Sequence, residues 1–323
     1  MTERSSDIER AAAFLSKSEL VAIPTETVYG MAANAFDEVA VKEIFRVKNR
    51  PFYDPLILHT NSIEKIERWG VAIPPRLRRL AETFWPGPLT LLLPRSEKIS
   101  DSVTAGLDRV AFRIPSHPLT HQLLEQLDFP VAAPSANPFG YVSPTSADHV
   151  LKHFDEKIAM VLDGGACDVG IESTIVGEED GRIVVYRLGG LSVEQIERVI
   201  GNIEIRTSSS KPMAPGMLVR HYSPQKELIV VDTQEEVDEH NVQQSAYILF
   251  LLEAPEFNLP NVIHLTPGGN HEKAARQFYQ ALRTWDDDPD IKRIIVERLP
   301  DFGLGRAIND RLKRAAGAES EEK

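Results

Sequence analysis

The hydrophobic pattern of this chain runs in one rhythm, stops, and starts again, and that reset limits what it can fold into. From residue 20 to about residue 205, short apolar runs alternate with amphipathic segments. LVAIPTETVYG, PLILH, PLTLLLP, RVAFRIP, PVAAPSA, AMVLDGG, ESTIVG and RIVVYRL read as strands. Helices are expected over 38–46, 75–83, 119–127 and 147–154, and Thr145 and Ser192 read as N-caps. Residues 206–226, RTSSSKPMAPGMLVRHYSPQK, have no period and are rich in Ser and Pro. After them LIVVD, AYILFLL, NVIHL and RIIVERL are strand candidates, with helices expected over 272–284 and 306–315. Strongly apolar strands alternating with helices imply a small parallel sheet covered on both faces. Two α/β domains follow, 1–205 and 227–323, joined by the segment 206–226. A structureless stretch of that length is either a linker or a functional lid, and His221 and Tyr222 are odd residues for a spacer.

Charge narrows the function. The chain of 323 residues has 36 Lys plus Arg against 48 Asp plus Glu, a formal net charge of −12. Broad nucleic-acid binding rests on phosphate neutralisation by Lys and Arg, so stable tRNA binding is not expected. A local cationic pocket is still compatible with the total. Cys167 is the only cysteine, so neither an intrachain disulfide nor a thiolate zinc site can form. The apolar runs are far shorter than the ~20 residues of a membrane helix. The opening MTERSSDIERAAAFL lacks the apolar core of a secretory signal. No membrane association and a cytoplasmic location are the expectations.

Against this acidic background, IFRVKNRPFYDPLILH gathers Arg46, Lys48 and Arg50 just before Pro51. Cations in a last helical turn are ordinary dipole partners, and Pro51 should end the helix near Lys48 or Asn49. A proline-fixed loop beside a strand ending at His59 is also a place for phosphate. In RVAFRIP, period two puts Val110, Phe112 and Ile114 on one face and Arg109, Ala111 and Arg113 on the other. An arginine beside an alanine points to a carboxylate or phosphate partner, with a solvated outer face as the alternative. AAPSANPFGYVSPT is rich in small residues, so Ala133 and Ser135 let a ligand approach the backbone. Ser135, Asn137, Ser143 and Thr145 offer short neutral donors for phosphate or ribose. PTETVYG sets Thr25 and Thr27 on one side of a strand ending at Gly30, and GIESTIVG sets Glu172 and Thr174 opposite Ile171, Ser173 and Ile175. There is no Walker loop, G-x-G-x-x-G, H-E-x-x-H or Ser–His–Asp signature.

Together these segments resemble the Sua5/YrdC family of threonylcarbamoyl-adenylate synthases in its long, two-domain form. The motifs are PTETVYGMAA, KNRPFYDPLILH, WPGPLTLLL, AFRIPSHP, APSANPFGYVSPT, GIESTIV and APGMLVRHYSP, followed by GLGRAINDRLKRAA. They stand in order over nearly the whole chain. The resemblance implies an N-terminal α/β domain with a twisted sheet like that of double-stranded-RNA-binding proteins. It implies a smaller, Rossmann-like parallel α/β domain at the C-terminus.

The resemblance also implies a nucleotidyltransferase that makes threonylcarbamoyl-AMP and pyrophosphate from L-threonine, bicarbonate and ATP. The product would pass to a separate transferase for t6A modification of tRNA at position 37. Magnesium would accompany ATP, with no metal site on the protein. By motif, Lys48 and Arg50 are the catalytic K-x-R pair at the triphosphate. Thr27, His59, Arg113, Ala133 and Ser173 fall where the family contacts threonine. Arg50, Asp54, Arg109, Ser135, Asn137, Ser143, Arg187 and Tyr222 fall where it contacts ATP. Asp54 departs from the asparagine usual in RPxxNPL. A carboxylate ~4 Å from a phosphate would cost about 4 kcal/mol at an effective dielectric of 20. Magnesium, a neighbouring cation or a different nucleotide pose would have to offset it.

Overall fold

The computed structural model describes residues 1–207, 221–240, 243–253, 261–266 and 268–317. Most of the segment expected to act as linker or lid, 208–220, therefore lies outside the described residues. Eleven strands form one mixed sheet. From edge to edge they are Glu3–Ser5, Met160–Leu162, Val21–Ile23, Gly30–Asn34, Val131–Ala132, Ile57–His59, Arg109–Arg113, Leu89–Pro94, Thr174–Glu179, Arg182–Arg187 and Glu204–Ile205. The helices Glu38–Lys48, Pro75–Phe84, Ala147–Phe154 and Val193–Ile200 pack Ile44, Leu80, Val150 and Ile196 on one face of it. On the other face, Ile8–Ser16 and Pro118–Gln126 cover only the half that contains Val21, Ile23 and Met160. The remaining half of that face presents a small cluster, Ile57, Leu92, Ala111, Ile175, Val184 and Tyr186, that includes no helix residue.

The second sheet is parallel throughout, in the order Glu227–Val231, Arg293–Glu297, Ser245–Leu249 and Val262–His264. His271–Asp287 and Gly305–Ala315 are its long helices. Their core is continuous with the first domain, because Val28, Tyr141, Val142, Ile171 and Tyr222 pack in one cluster with Phe278, Leu282, Ile308 and Leu312. Gly170 permits this contact: with φ +80°, a Cβ there would lie 2.5 Å from the Arg276 Cα on the long helix. No helix among the described residues is long and apolar enough to cross a membrane.

Two local expectations need correction. LVAIPTETVYG is not one strand: Val21–Ile23 ends before Pro24, and Gly30 opens the next strand. The antiparallel pairing of the two strands makes residues 24–29 their connection. The cap of Ala147–Phe154 is Ser146, which accepts from the His149 N–H, whereas Thr145 accepts no cap bond from that helix. The helix from Glu38 ends at Lys48, as expected, with Asn49 left-handed at its C-cap (φ 53°). Ser192 does form the expected capping box with Gln195.

Glu297, at the carboxyl end of its strand, accepts the N–H groups of Phe250, Leu251 and Leu252. In parallel α/β sheets that end is where ligand anions usually sit; here a carboxylate of the chain fills it. Glu297→Ala should strand three N–H donors. It is expected to lower unfolding free energy by about 2–4 kcal/mol in denaturant melts, with Glu297→Gln losing less.

Candidate functional site

The sheet face without helices builds a cavity. Alternation along each strand puts Ile57, Leu92, Ala111, Ile175 and Tyr186 into the apolar cluster. Two residues further toward one end of the sheet stand His59, Thr90, Arg113 and Ser173. His59 pairs in register with Arg113, and Thr90 with Arg113 from the other side. Arg187 joins them through a bulge between Val185 and Arg187, which breaks the alternation and turns its side chain to this face. The space is about 510 Å³ including its open mouth, and is lined by Thr27, Val28, Arg50, Pro55, Ile57, His59, Arg113, Ala133, Pro134, Ser135, Glu172, Ser173, Arg187, His221 and Tyr222.

Each arginine is fixed. Arg113, 4% exposed, donates to Thr27 Oγ1 (2.8 Å) and the Gly87 carbonyl (3.3 Å). Its Nη2 lies 2.7 Å from Glu26 Oε1 but has no well-directed hydrogen bond. Glu26 is held in turn by the Ser116 N–H. Arg187 donates to the carbonyl and hydroxyl of Ser173, both at 3.0 Å, and the Ser173 hydroxyl meets Thr90 Oγ1 at 2.7 Å. Arg50 donates to the Pro55 carbonyl and forms a 2.8 Å ion pair with Asp54. Arg50 is thus a cation beside the carboxylate that departs from the family's asparagine. Burial pushes the Asp54 carboxyl up, against the pull of Arg50 and Lys48.

Of the residues expected at the site, Thr27, Arg50, His59, Arg113, Ala133, Ser135, Ser173, Arg187 and Tyr222 line the cavity, and Lys48, Asp54, Arg109, Asn137 and Ser143 do not. Lys48 is buried behind the wall, donating to the carbonyls of Ser135 and Asn137, so it ties the small-residue loop to the helix end. Burial, then the charge of Arg50, holds its pKa well below the usual lysine value. Arg46, the third cation of the run, is exposed and pairs with Glu43. Arg109 shares a strand face with Arg113 but stands four residues away, about 13 Å at ~3.3 Å per residue. There it donates to the Glu178 carbonyl and pairs with Glu179. Asn137 donates to the Pro138 and Tyr141 carbonyls, and its Oδ1 is buried without a partner. Ser143 donates to Glu172 at 2.6 Å.

Sequence reasoning left Glu172 outside the site and placed His221 only on the segment expected to act as linker or lid. Glu172 is buried and bonded by Ser143, Tyr279 and Arg311. Burial raises its carboxyl, but Arg311, Arg187 and Ser143 outweigh that and hold it below the usual range. Tyr222 has φ 63°, rare for a bulky residue. It is held between His221 (rings 4.0 Å apart), Tyr279 (6.1 Å) and the Arg311 guanidinium (5.2 Å).

The Sua5–YciO–YrdC family model, described as telomere recombination, matches residues 13–189. The model described as threonylcarbamoyl-AMP synthase, C-terminal domain, matches residues 191–317. The chain belongs to the Sua5/YrdC family. It is 41% identical over 322 residues to the threonylcarbamoyl-AMP synthase of Pyrococcus abyssi, covering 96% of this chain and 94% of that protein. It is 40% identical over 322 residues to the Bacillus subtilis protein of the same name, with 96% and 93% covered. The crystal structure of P. abyssi Sua5 complexed with L-threonine matches with a TM-score of 0.90 at 39% identity over 98% of each chain. Membership of the Sua5/YrdC family accords with both sheets.

Both cavity histidines are neutral near pH 7. Burial, then Arg113, lowers His59 from the ordinary 6.5 to about 3, and burial, then Arg50 and Lys48, lowers His221. Between pH 6.5 and 3 the unfolded chain therefore binds more protons than the folded one. Stability contributed by neutral His59 is present above pH 6.5 and is lost as pH falls, at up to about 1.4 kcal/mol per pH unit. His59→Gln should flatten the pH dependence of denaturation midpoints between pH 6.5 and 4.5 by one proton; equal slopes would contradict a buried neutral imidazole.

Proposed function

We propose that this cavity makes threonylcarbamoyl-AMP and pyrophosphate from L-threonine, bicarbonate and ATP, acting as a nucleotidyltransferase. The observation that supports it most is the convergence of Arg50, Arg113 and Arg187 on one space, in a chain whose net charge is −12. Such a cavity suits anions with several oxygens. Small, uncharged wall residues, Ala133 and Ser135, let a ligand lie against backbone. The names of the two relatives and the threonine complex of P. abyssi Sua5 favour the same chemistry.

In this mechanism Arg113 takes the threonine carboxylate with its undirected Nη2, while Thr27, His59 and Ser173 orient the amine and hydroxyl. The amine adds to CO2 derived from bicarbonate, the proton it loses leaving with the bicarbonate hydroxide as water, and the resulting N-carboxylate attacks the α-phosphorus of ATP as pyrophosphate leaves. No covalent enzyme intermediate is required. Catalysis is alignment, which can supply roughly 7–11 kcal/mol, plus stabilisation of the developing phosphate charge. Arg50 and Arg187 provide that charge. Lys48 acts one layer behind by holding the Ser135–Asn137 carbonyls. Neutral His59 is suited to accept a hydrogen bond from the threonine amine.

Magnesium enters as substrate, on the nucleotide. No group of three or more His, Cys, Asp or Glu among the described residues could hold a metal ion, and Glu26, Asp54 and Glu172 are each paired with an arginine. MgATP would supply charge screening on its own phosphates. The acidic surface favours transfer of the product to a separate tRNA-modifying transferase over tRNA binding here, and a cytoplasmic site of action fits that role.

Pyrophosphate release should require ATP, threonine and bicarbonate together; release without threonine, or equal stimulation by serine and glycine, would reject the assignment. Arg113→Ala should raise the KM for threonine by roughly 10- to 100-fold, the worth of a hydrogen bond between charged groups. Asp54→Asn, which removes a buried carboxylate beside Arg50, should tighten MgATP binding by about tenfold in calorimetry; weaker binding would show that Asp54 orients Arg50 rather than competing for it.

A further inference from the structure

Among the described residues, every one that lines the cavity belongs to the chain up to Tyr222, and none comes from the second sheet or its helices. Yet that half of the molecule reaches the wall from behind. Glu172, 4% exposed, is the one carboxylate in the lining, facing a space assigned to two anionic ligands. Left alone, it would repel both. Its partners are Ser143 and two side chains of the C-terminal half: Tyr279, at 2.9–3.0 Å from its oxygens, and Arg311, whose Nε and Nη2 lie at 3.2 and 3.1 Å. Arg311 is fully buried. It also donates to the Leu188 carbonyl, next to Arg187, and lies over the Tyr222 ring. One guanidinium thus contacts two lining residues, Glu172 and Tyr222, and the backbone beside a third, Arg187, without itself lining the cavity.

We propose that Arg311 and Tyr279 are positioning residues for the substrate site: they neutralise and turn the Glu172 carboxylate so that the nucleotide and threonine anions can bind beside it. The C-terminal domain then governs substrate affinity and takes no part in bond making. This rests on the nucleotide-and-threonine reading of the cavity.

The test uses the full chain. Calorimetric titrations with MgATP and with L-threonine are made on the wild type, Arg311→Met, Glu172→Gln, the Arg311→Met/Glu172→Gln double variant and Tyr279→Phe, each checked for folding by circular dichroism. Arg311→Met should weaken MgATP binding on the order of 10- to 100-fold, the effect of an unpaired like charge several ångströms away at an effective dielectric of about 20. Turnover at saturating substrate should stay within about threefold. Adding Glu172→Gln should recover most of the affinity, because the charge balance is restored. The pH profile separates charge from packing. Without Arg311, burial raises the Glu172 carboxyl against the remaining pull of Arg187 and Ser143, so the single variant should regain affinity as pH falls, and the double variant should show no such trend. Tyr279→Phe, which deletes one hydroxyl, should weaken binding by about three- to tenfold and keeps the proposal testable if Arg311→Met does not fold. Wild-type affinity in Tyr279→Phe and in folded Arg311→Met, or a double variant no tighter than Arg311→Met, overturns the proposal. A wild-type protein that binds neither ligand overturns the functional reading beneath it.

Discussion

The buried pair of Glu172 and Arg311, separated by 139 residues in sequence, is the contact around which the two halves of this molecule are organised. Removing one partner of such a pair strands a charge and typically costs about 3–5 kcal/mol, so each half constrains the other. Around it, Arg283 donates to the Val142 and Ser143 carbonyls, and Tyr141, Val142 and Ile171 enter the hydrophobic core of the second domain. The loop 140–143 and the segment 169–173 are consequently held by both domains. They supply Glu172 and Ser173 to the lining and Ser143 behind Glu172, so the geometry of the cavity depends on a domain none of whose described residues lines it.

Charge in the cavity follows from the same pairing rule. Arg50, Arg113 and Arg311 each meet a carboxylate, Asp54, Glu26 and Glu172 respectively. Buried guanidinium groups need such partners, since desolvation without compensation is expensive. The pairs also hold the arginines rigid, which is what electrostatic catalysis requires. Arg187 donates to Ser173 and adds positive potential to the space. The two histidines, kept neutral by burial and by this cationic surrounding, add hydrogen-bonding capacity without changing the balance.

Much of the site was legible because short-range rules apply there. Period two placed Arg113 correctly, and small residues with prolines marked the loop at Ser135. The same rule gave Arg109 the right face but not the distance, since a strand face extends past the cavity. Among the three cations before Pro51, local pattern could not rank Arg46 against Lys48 and Arg50, and only the family motif set Arg46 aside. The ranking comes from helical rotation, which leaves Arg46 exposed against Glu43 and turns Lys48 inward. Strand alternation alone would have kept Arg187 off the cavity face; a bulge corrects it, and the family motif, not local pattern, had assigned it. Arg311 was unreadable in GLGRAINDRLKRAA, where it is one basic residue among several on a helix. Only the packing of that helix beside residues 170–172 makes it part of the site. Glu26 was missed between two threonines because its partner comes from a distant strand.

The most direct test is a crystal structure with a non-hydrolysable ATP analogue and L-threonine soaked together. Phosphate oxygens are expected within hydrogen-bonding distance of Arg50 and Arg187, with the threonine carboxylate on Arg113 and its amine toward His59. Density for either ligand outside this cavity, with the three arginines untouched, would contradict the assignment of one shared site.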